Sequence, residues 1–364
     1  MPYICAGDPT LDLSRKLLLI LEKAGADLIE FGIPFSDPIA DGPIIQKASE
    51  RSLCNGTSID QVLNLVSNLR NETDIPITLM GFLGELIDTL NELDWGIKDV
   101  VAEGAYSQFE LDFTYTNILQ MADRLVFLRV LLKEVAKKHG MFITFMPKPT
   151  IGDWRSGAHI NFSMTSNKDN KNIFEGKGGK FSEQAYHAVG GLIKHGTSIT
   201  AIACSTVNSY NGLVPVVGGF EGGVHTWAPT QMAYGDNNRS CMLRLPQNRF
   251  CIENRAADMC MNPYLSLALT TAAAIDGIQN KIDPGKPLNV NLYTLTPEEI
   301  KASKIKSLPR NLLEAIEKLQ HDEFAKEVFG ESMLSQFFAY KMDEWDRYHQ
   351  AVTDWEVTEY LRLY

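Results

Sequence analysis

Residues 76–93 read PITLMGFLGELIDTLNEL, and within them a regular pattern breaks off. PITLMGF has the apolar run of a buried strand, which in an alternating chain leads into a loop carrying chemistry. Here a helix starts at once, with Leu83, Leu86, Ile87, Leu90 and Leu93 on one face. Before the break, strands and helices alternate. YICAG is a short apolar run, and LDLSRKLLLILEKAG has helical apolar spacing that stops at Gly25. ADLIEFG is a buried strand. TSIDQVLNLVSNL opens with a capping box, Ser58 and Gln61, and sets Val62, Leu65, Val66 and Leu69 on one face. IPITLM is a third strand. This β-α-β-α-β order predicts parallel strands joined by right-handed crossovers. Three such strands cannot close a barrel, so two sheet edges stay open.

Between the second strand and its helix lies EFGIPFSDPIADGP, with three prolines, two glycines and three acidic residues. Glu30 ends the strand and Asp41 sits in the loop, on the side where (β/α) barrels carry their active sites. Two carboxylates on such a rim act as acid and base when their pKa values are pushed apart. The same spacing also fits Asp37 and Asp41 capping turns beside Pro38 and Gly42.

After the break the pattern changes. KDVVAEG, SQFELDFTY, FITFMPKP and AHINFSM are short extended runs, with one long helix, ILQMADRLVFLRVLLKEVAKKHG, among them. FELDF alternates as a half-buried antiparallel strand does. CMLRLP and CIENRAAD follow as further strands, and the C-terminal third is helical in NPYLSLALTTAAAIDGI, RNLLEAIEKLQ and SQFFAYKMDEWDRYHQAV. EGKGGK at 175–180 lacks the spacing of a phosphate loop and reads as a surface turn.

Charge and cysteine usage narrow the function classes. The net charge is −11 and both sides of the break are acidic, which argues against nucleic-acid or anionic-membrane partners. None of the six cysteines forms a C-x-x-C pair, so reduced, mostly buried thiols are expected. No apolar run reaches the roughly 18 residues of a membrane span. The opening residues lack a basic stretch followed by an apolar core, and a cytoplasmic location is the expectation.

The chemistry of the second part lies in scattered groups. Glu103 and Glu110 flank a short turn between extended segments, so their carboxylates can converge. His159, in RSGAHINFS, and Glu253, in CIENR, stand on strands. Three carboxylates and an imidazole suit Mg²⁺ or Mn²⁺. Arg239, Arg244, Arg249 and Arg255 follow on neighbouring runs, and metal-bearing carboxylates beside a row of arginines suit a polyphosphate. Each residue taken singly also fits a plainer role: a solvated strand glutamate, or a histidine satisfied within the fold.

Two resemblances gather these residues. YICAGDP, ADLIEFGIPFSDPIADGPIIQKAS and GTSIDQVLNLV resemble the N-terminal part of the tryptophan synthase alpha chain, from about Met1 to Phe82. That resemblance implies an eight-stranded barrel that splits indole-3-glycerol phosphate, with its catalytic carboxylates at Glu30 and Asp41. Only three of the strands are here, and the late-strand phosphate loops have no equivalent.

EGAYSQFELDFTY, MADRLVFLRVLLKEVAKKHG, TFMPKP, SGAHINFS, TVNSYNGLVP, NNRSCMLRLP and IENRAADMCMNPYLSLAL resemble the catalytic domain of glutamine synthetases, on a bacterial glutamine synthetase-like branch. This implies an antiparallel sheet open to a funnel-shaped site shared between subunits of a ring. It implies ATP-dependent joining of ammonia to glutamate through an acyl-phosphate. It also implies Mg²⁺ or Mn²⁺ at Glu103, Glu110, His159 and Glu253, ATP contact near Ser163, phosphate contact by Arg239 and Arg244, and a substrate carboxylate on Arg255. Four departures bear on the amino-acid substrate. Gly212 stands where the family has a glutamate-gripping arginine. Cys251 replaces a basic residue, with Arg249 nearby. Trp154 and Arg155 alter the turn before His159. The family's shielding glutamate is matched only by Trp227, or by the displaced Glu221.

The expectation is therefore an α+β chain with a partial parallel β/α segment at 1–82 and a glutamine synthetase-like catalytic domain at 83–364. Its activity is that of an ATP- and Mg²⁺-dependent carboxylate–amine ligase acting on small molecules: glutamate or a related amino acid, ammonia and ATP. The alternatives are an indole-3-glycerol-phosphate lyase and a non-catalytic fusion. The family's N-terminal grasp-like domain does not appear, so a homo-oligomer other than the regular ring is expected.

Overall fold

The alternating apolar runs of the first 82 residues fold into a small parallel sheet. β1 (Tyr3–Cys5), α1 (Leu11–Lys23), β2 (Ile29–Gly32), α2 (Pro43–Cys54), α3 (Ile59–Leu69) and β3 (Ile77–Leu79) follow in chain order. The strands pair in parallel in the order β1-β2-β3, with Glu30 in register with Tyr3 on one side and Thr78 on the other. The computed structural model describes residues 2–363 except 35–42, 80–81, 104, 106–107, 139–140, 151–153, 214–227 and 304.

Local chemistry accounts for these helices. Thr10 caps α1 by accepting from the Leu13 backbone N–H. Ser58 and Gln61 form the reciprocal capping box of α3. Leu18, Ile29, Phe31, Val62 and Leu69 are fully buried together, each contributing about 1.5–3 kcal/mol through removal of apolar surface from water. The helix α2 fills a segment between EFGIPFSDPIADGP and TSIDQVLNLVSNL to which the sequence assigned no element. Pro43 opens it, a position where the missing N–H costs nothing, and the density of Pro and Gly before it disguised its start.

After the break come α4 (Phe82–Glu92), the antiparallel hairpin β4 (Ile97–Ala102) and β5 (Phe109–Phe113), and the long α5 (Ile118–Lys138). Leu86 and Leu90 of α4 are buried, as its apolar face predicts. The chain divides into two compact units, Met1–Asn117 with Phe127–Ile143, and Ile118–Val126 with Thr144–Tyr364.

The second unit holds a four-stranded sheet ordered β6 (Ile160–Phe162), β9 (Ile252–Asn254), β8 (Leu243–Leu245), β7 (Tyr234–Asp236). The antiparallel sheet expected for it is mixed: β6–β9 and β9–β8 are antiparallel, whereas β7 and β8 pair in parallel. FITFMPKP, expected to be extended, makes no strand ladder. Pro147 and Pro149 cannot donate to one, and the Pro147 carbonyl and Lys148 N–H are engaged by Ser156 and Asn208.

Helices build the rest of this unit: α6 (Glu183–Lys194), α7 (Gly196–Ala203), α8 (Val207–Asn211), α9 (Pro263–Gln279), α10 (Pro297–Ala302), α11 (Leu312–Gln320), α12 (Glu323–Phe329), α13 (Glu331–Gln350) and α14 (Asp354–Tyr360). The core joins Leu192, Ile199, Ile202, Met242, Leu243 and Leu245, all essentially inaccessible to water. Helix α6 was not apparent from the sequence because Gly190 and Gly191 argue against a helix. In the fold they allow backbone contact: a Cβ on Gly191 would lie 2.0 Å from the Ala273 carbonyl oxygen of α9. The EGKGGK segment is a turn, with Gly178 and Gly179 at φ of 69° and 70°.

Candidate functional site

β9 is buried on all three of its residues, and its central residue is a glutamate. Glu253 is 2% exposed. An ionised carboxylate survives at such depth only with partners. It has them on both oxygens. Oε1 accepts from Arg255 Nη1 at 2.6 Å, and Oε2 accepts from Arg244 Nη1 at 2.6 Å. Residues 253 and 255 share a face by the two-residue period of a strand, and Arg244 is the direct register partner of Glu253 on β8. His159 enters from the other side, immediately before β6, with Nδ1 3.5 Å from Glu253 Oε1.

The electrostatics follow from this crowding. Burial alone would raise Glu253, but Arg255, His159 and Arg244 outweigh it and hold the carboxyl below its usual range. Close-packed protein around the ring pushes the His159 imidazole down to about 3, although 30% of its side chain stays open to solvent, helped by the Arg255 charge and opposed by Glu253. Burial also draws Arg255 downward, from so high a starting value that it keeps its charge. At neutral pH the pair is thus an anionic carboxylate beside a neutral imidazole. Those are the protonation states that ligate a divalent cation.

The flanking arginines are fixed by asparagines and backbone. Arg244 donates from Nε and Nη2 to Asn237 Oδ1, at 2.9 and 2.6 Å, and Arg255 Nε donates to the Arg239 carbonyl at 3.0 Å. Arg249 Nη2 donates to Asn161 Oδ1 at 3.0 Å, which the Cys251 thiol also approaches. Arg239 itself is exposed, in the β7–β8 connection. Its guanidinium makes no hydrogen bond or ion pair among the described residues. It borders an open depression of about 430 Å³ with Asp236, Asn237, Asn238 and Asn291. Ser163 is exposed, one residue beyond β6.

In the first unit, Glu110 lies on β5 opposite Val101, and the Glu103 backbone N–H donates to the Gln108 carbonyl. This register sets Glu103 and Glu110 diagonally on one face of the hairpin. Among the described residues no group of three or more His, Cys, Asp or Glu side chains is gathered as a metal would need; of the four expected ligands, the second unit brings His159 and Glu253 together. Glu30 is half-buried on β2, while Asp41, Glu221 and Trp227 lie outside the described residues.

Sequence reading did not find three groups around this centre. Asn237, at a φ of 52°, braces Arg244; only the NN dipeptide hinted at a left-handed turn. Asp258, fully buried, pairs with Arg155 at 3.1 Å, and Cys204 donates to the Ala256 carbonyl at 2.9 Å. Burial raises Asp258 above its usual value despite Arg155, and raises Cys204 strongly, so that thiol is protonated and inert.

Comparison with known proteins gives two family matches. The glutamine synthetase catalytic domain matches residues 62–360, and the tryptophan synthase alpha chain matches residues 1–96. The glutamate–methylamine ligase of Methyloversatilis universalis is 38% identical over 287 residues, covering 78% of this chain and 63% of that protein. The glutamine synthetase of Methanosarcina mazei is 40% identical over 306 residues, covering 83% of this chain and 63% of that protein. A solved structure described as a GmaS/ADP complex superposes with a TM-score of 0.69 at 34% identity, over 77% of this chain and 63% of that one. The chain thus spans about 63% of the length of these relatives.

Proposed function

The chain belongs to the glutamine synthetase family by its catalytic domain, and from that premise we propose that it is an ATP-dependent ligase joining a small amine to the carboxylate of glutamate or a related amino acid. The observation that carries this reading is the Glu253 carboxylate held between Arg244 and Arg255 with neutral His159 beside it. Relatives described as a glutamine synthetase and a glutamate–methylamine ligase support ammonia and methylamine as the amines to try first.

A carboxylate and an amine do not condense in water without activation of the carboxylate. In the proposed reaction a carboxylate oxygen attacks the γ-phosphorus of ATP and ADP leaves. The free-base amine nitrogen then attacks the acyl carbon, phosphate leaves, and the nitrogen gives up a proton to phosphate or water. Bound Mg²⁺ or Mn²⁺ would neutralise the charge of the phosphate chain. His159 and Glu253 supply a donor set that fits such a cation, and we propose Glu103 and Glu110, on the hairpin of the first unit, as residues that bind divalent metal.

The protein's own cations have distinct tasks in this scheme. Arg239, exposed, is suited to a phosphate. Arg244 and Arg255 hold the Glu253 carboxylate in place, and Arg244 is proposed to meet phosphate and Arg255 the substrate carboxylate. Ser163 is proposed for contact with ATP. Guanidinium groups suit these roles because their fork of donors matches planar and tetrahedral oxyanions.

We also propose that residues 1–82 are a partial (β/α)-barrel segment joined to the ligase domain near Gly81–Phe82. The two family matches overlap at 62–96, and the parallel β1-β2-β3 order accords with this origin. We propose a homo-oligomer other than a regular ring. No helix among the described residues is long and apolar enough to cross a membrane.

The test is ADP release by the purified chain with ATP, Mn²⁺, glutamate and either ammonia or methylamine. The reading requires release that depends on the amine and is lost in Glu253→Ala. Amine-independent release, or release equal in that variant, would refute it.

A further inference from the structure

Arg155 stands four residues before His159, and its side chain is buried in the protein, 4% exposed. Nη2 donates to the Ala256 carbonyl at 2.7 Å and to Asp258 Oδ2 at 3.1 Å, with the Cys204 sulfur at 3.7 Å. Asp258 is itself fixed, its Oδ1 accepting from the Cys260 backbone N–H at 2.9 Å. A buried ion pair so arranged costs desolvation and adds little net stability, but losing one partner strands the other charge. Its value lies in the geometry it imposes.

That geometry depends on a glycine. A Cβ at position 212 would stand 2.5 Å from Arg155 Cδ, 2.7 Å from Cγ and 2.9 Å from Cβ. These are the root atoms of the side chain, which cannot retreat as its tip could. A seated Arg155 and any side chain at 212 therefore exclude each other. Gly212, at the end of α8, has a φ of −99°, so its backbone does not itself require glycine; the approach of Arg155 does.

The two segments that Arg155 ties together are those bearing the site. One runs from Arg155 to His159, with Ser156 N–H donating to the Pro147 carbonyl at 2.7 Å and Ala158 N–H to the Ala257 carbonyl at 2.9 Å. The other is Ala256–Asp258, which follows directly on the strand of Glu253. We propose that Arg155 is a positioning residue for the His159–Glu253 pair, seated by Gly212 and anchored by Asp258. It is a structural fork behind the site, not a contact of substrate. The consequence for metal rests on the ligase reading above; the lock itself does not.

The experiment has two readouts on the full chain. In the first, Gly212→Ala is made in the wild type and in an Arg155→Ser, Asp258→Asn background, where the stem is gone and no buried charge is stranded. The urea midpoint falls clearly in the wild type and much less in the background, because coupled neighbours are non-additive. Equal falls would overturn the lock. In the second, the His159 ring resonances are followed by NMR without metal, and Mn²⁺ affinity is measured by calorimetry, in folded Gly212→Ala and in Arg155→Lys. Both variants shift the His159 ring signals, and affinity drops about tenfold or more, as for other supports of metal ligands. Unmoved ring signals in both variants would overturn the positioning role. A wild type that binds no Mn²⁺ would count against the ligase reading, while the ring signals would still decide the positioning.

Discussion

Arg244 lies directly across the β8–β9 ladder from Glu253 and gives its carboxylate a hydrogen bond of 2.6 Å. The strand register alone places a cation opposite an anion in the buried part of the sheet, and His159, just before β6, completes the crowding. The charge states of the three groups are therefore linked, and that linkage has consequences for stability.

The first concerns pH. His159 is held near 3, against an ordinary 6.5, so the unfolded chain takes up a proton there that the folded chain refuses. Stability from this group is complete above about pH 6.5 and falls as the pH drops toward 3. Glu253, held below its ordinary 4.5, adds its own loss only further into acid. Urea midpoints measured at pH 7.5 and pH 5.5 should fall for the wild type and fall less for His159→Gln. Equal slopes would remove the assignment.

A second prediction, independent of these charges, concerns the α6–α9 contact. Helix propensity alone says Gly191→Ala should stabilise by up to about 1 kcal/mol. Packing says otherwise, because the new Cβ would meet the Ala273 carbonyl at 2.0 Å. Overpacking of this kind costs about 3 kcal/mol, and the helices must separate. Chemical denaturation gives the sign, and a stabilised variant would show the helices to be less closely apposed.

Those glycines also mark how far the fold was legible. The capping box at Ser58, the apolar face of α3 and the α5 run were readable because their signals are local in the chain. The pairing of His159 with Glu253 was readable from motif resemblance. Helix α6 was hidden because Gly190 and Gly191 oppose helix locally and serve a contact with residues far along the chain. Arg155 and Gly212 were singled out as departures, but their mutual exclusion is a matter of three-dimensional distance that no spacing announces. The β7–β8 parallel pairing was lost for the same reason.

Arg239 carries a third prediction. Its guanidinium is exposed, so removing it leaves the fold alone. Arg239→Ala should weaken ATP binding about ten- to a hundredfold, the value of a hydrogen bond between charged groups, with stability unchanged within about 0.5 kcal/mol. Nucleotide titration by calorimetry checks it; unchanged affinity would exclude Arg239 as a phosphate contact.

The small parallel sheet supports a fourth. Among the described residues this sheet has three short strands with β1 and β3 at its edges, and its core is made of far fewer side chains than that of the second unit. Amides of β1–β3 should exchange with deuterium before those of β8 and β9. The same segment should release no indole from indole-3-glycerol phosphate, since positioning of substrate needs more than Glu30. Indole formation abolished by Glu30→Gln would reverse this.

His159 and Glu253 are proposed to hold a divalent cation together for ligation. Titration of the full chain with Mn²⁺ by calorimetry tests this most directly. Saturable binding is expected in the wild type, weakened about tenfold or more in both His159→Ala and Glu253→Gln, with each variant folded by circular dichroism. Binding of equal strength in all three proteins would contradict it.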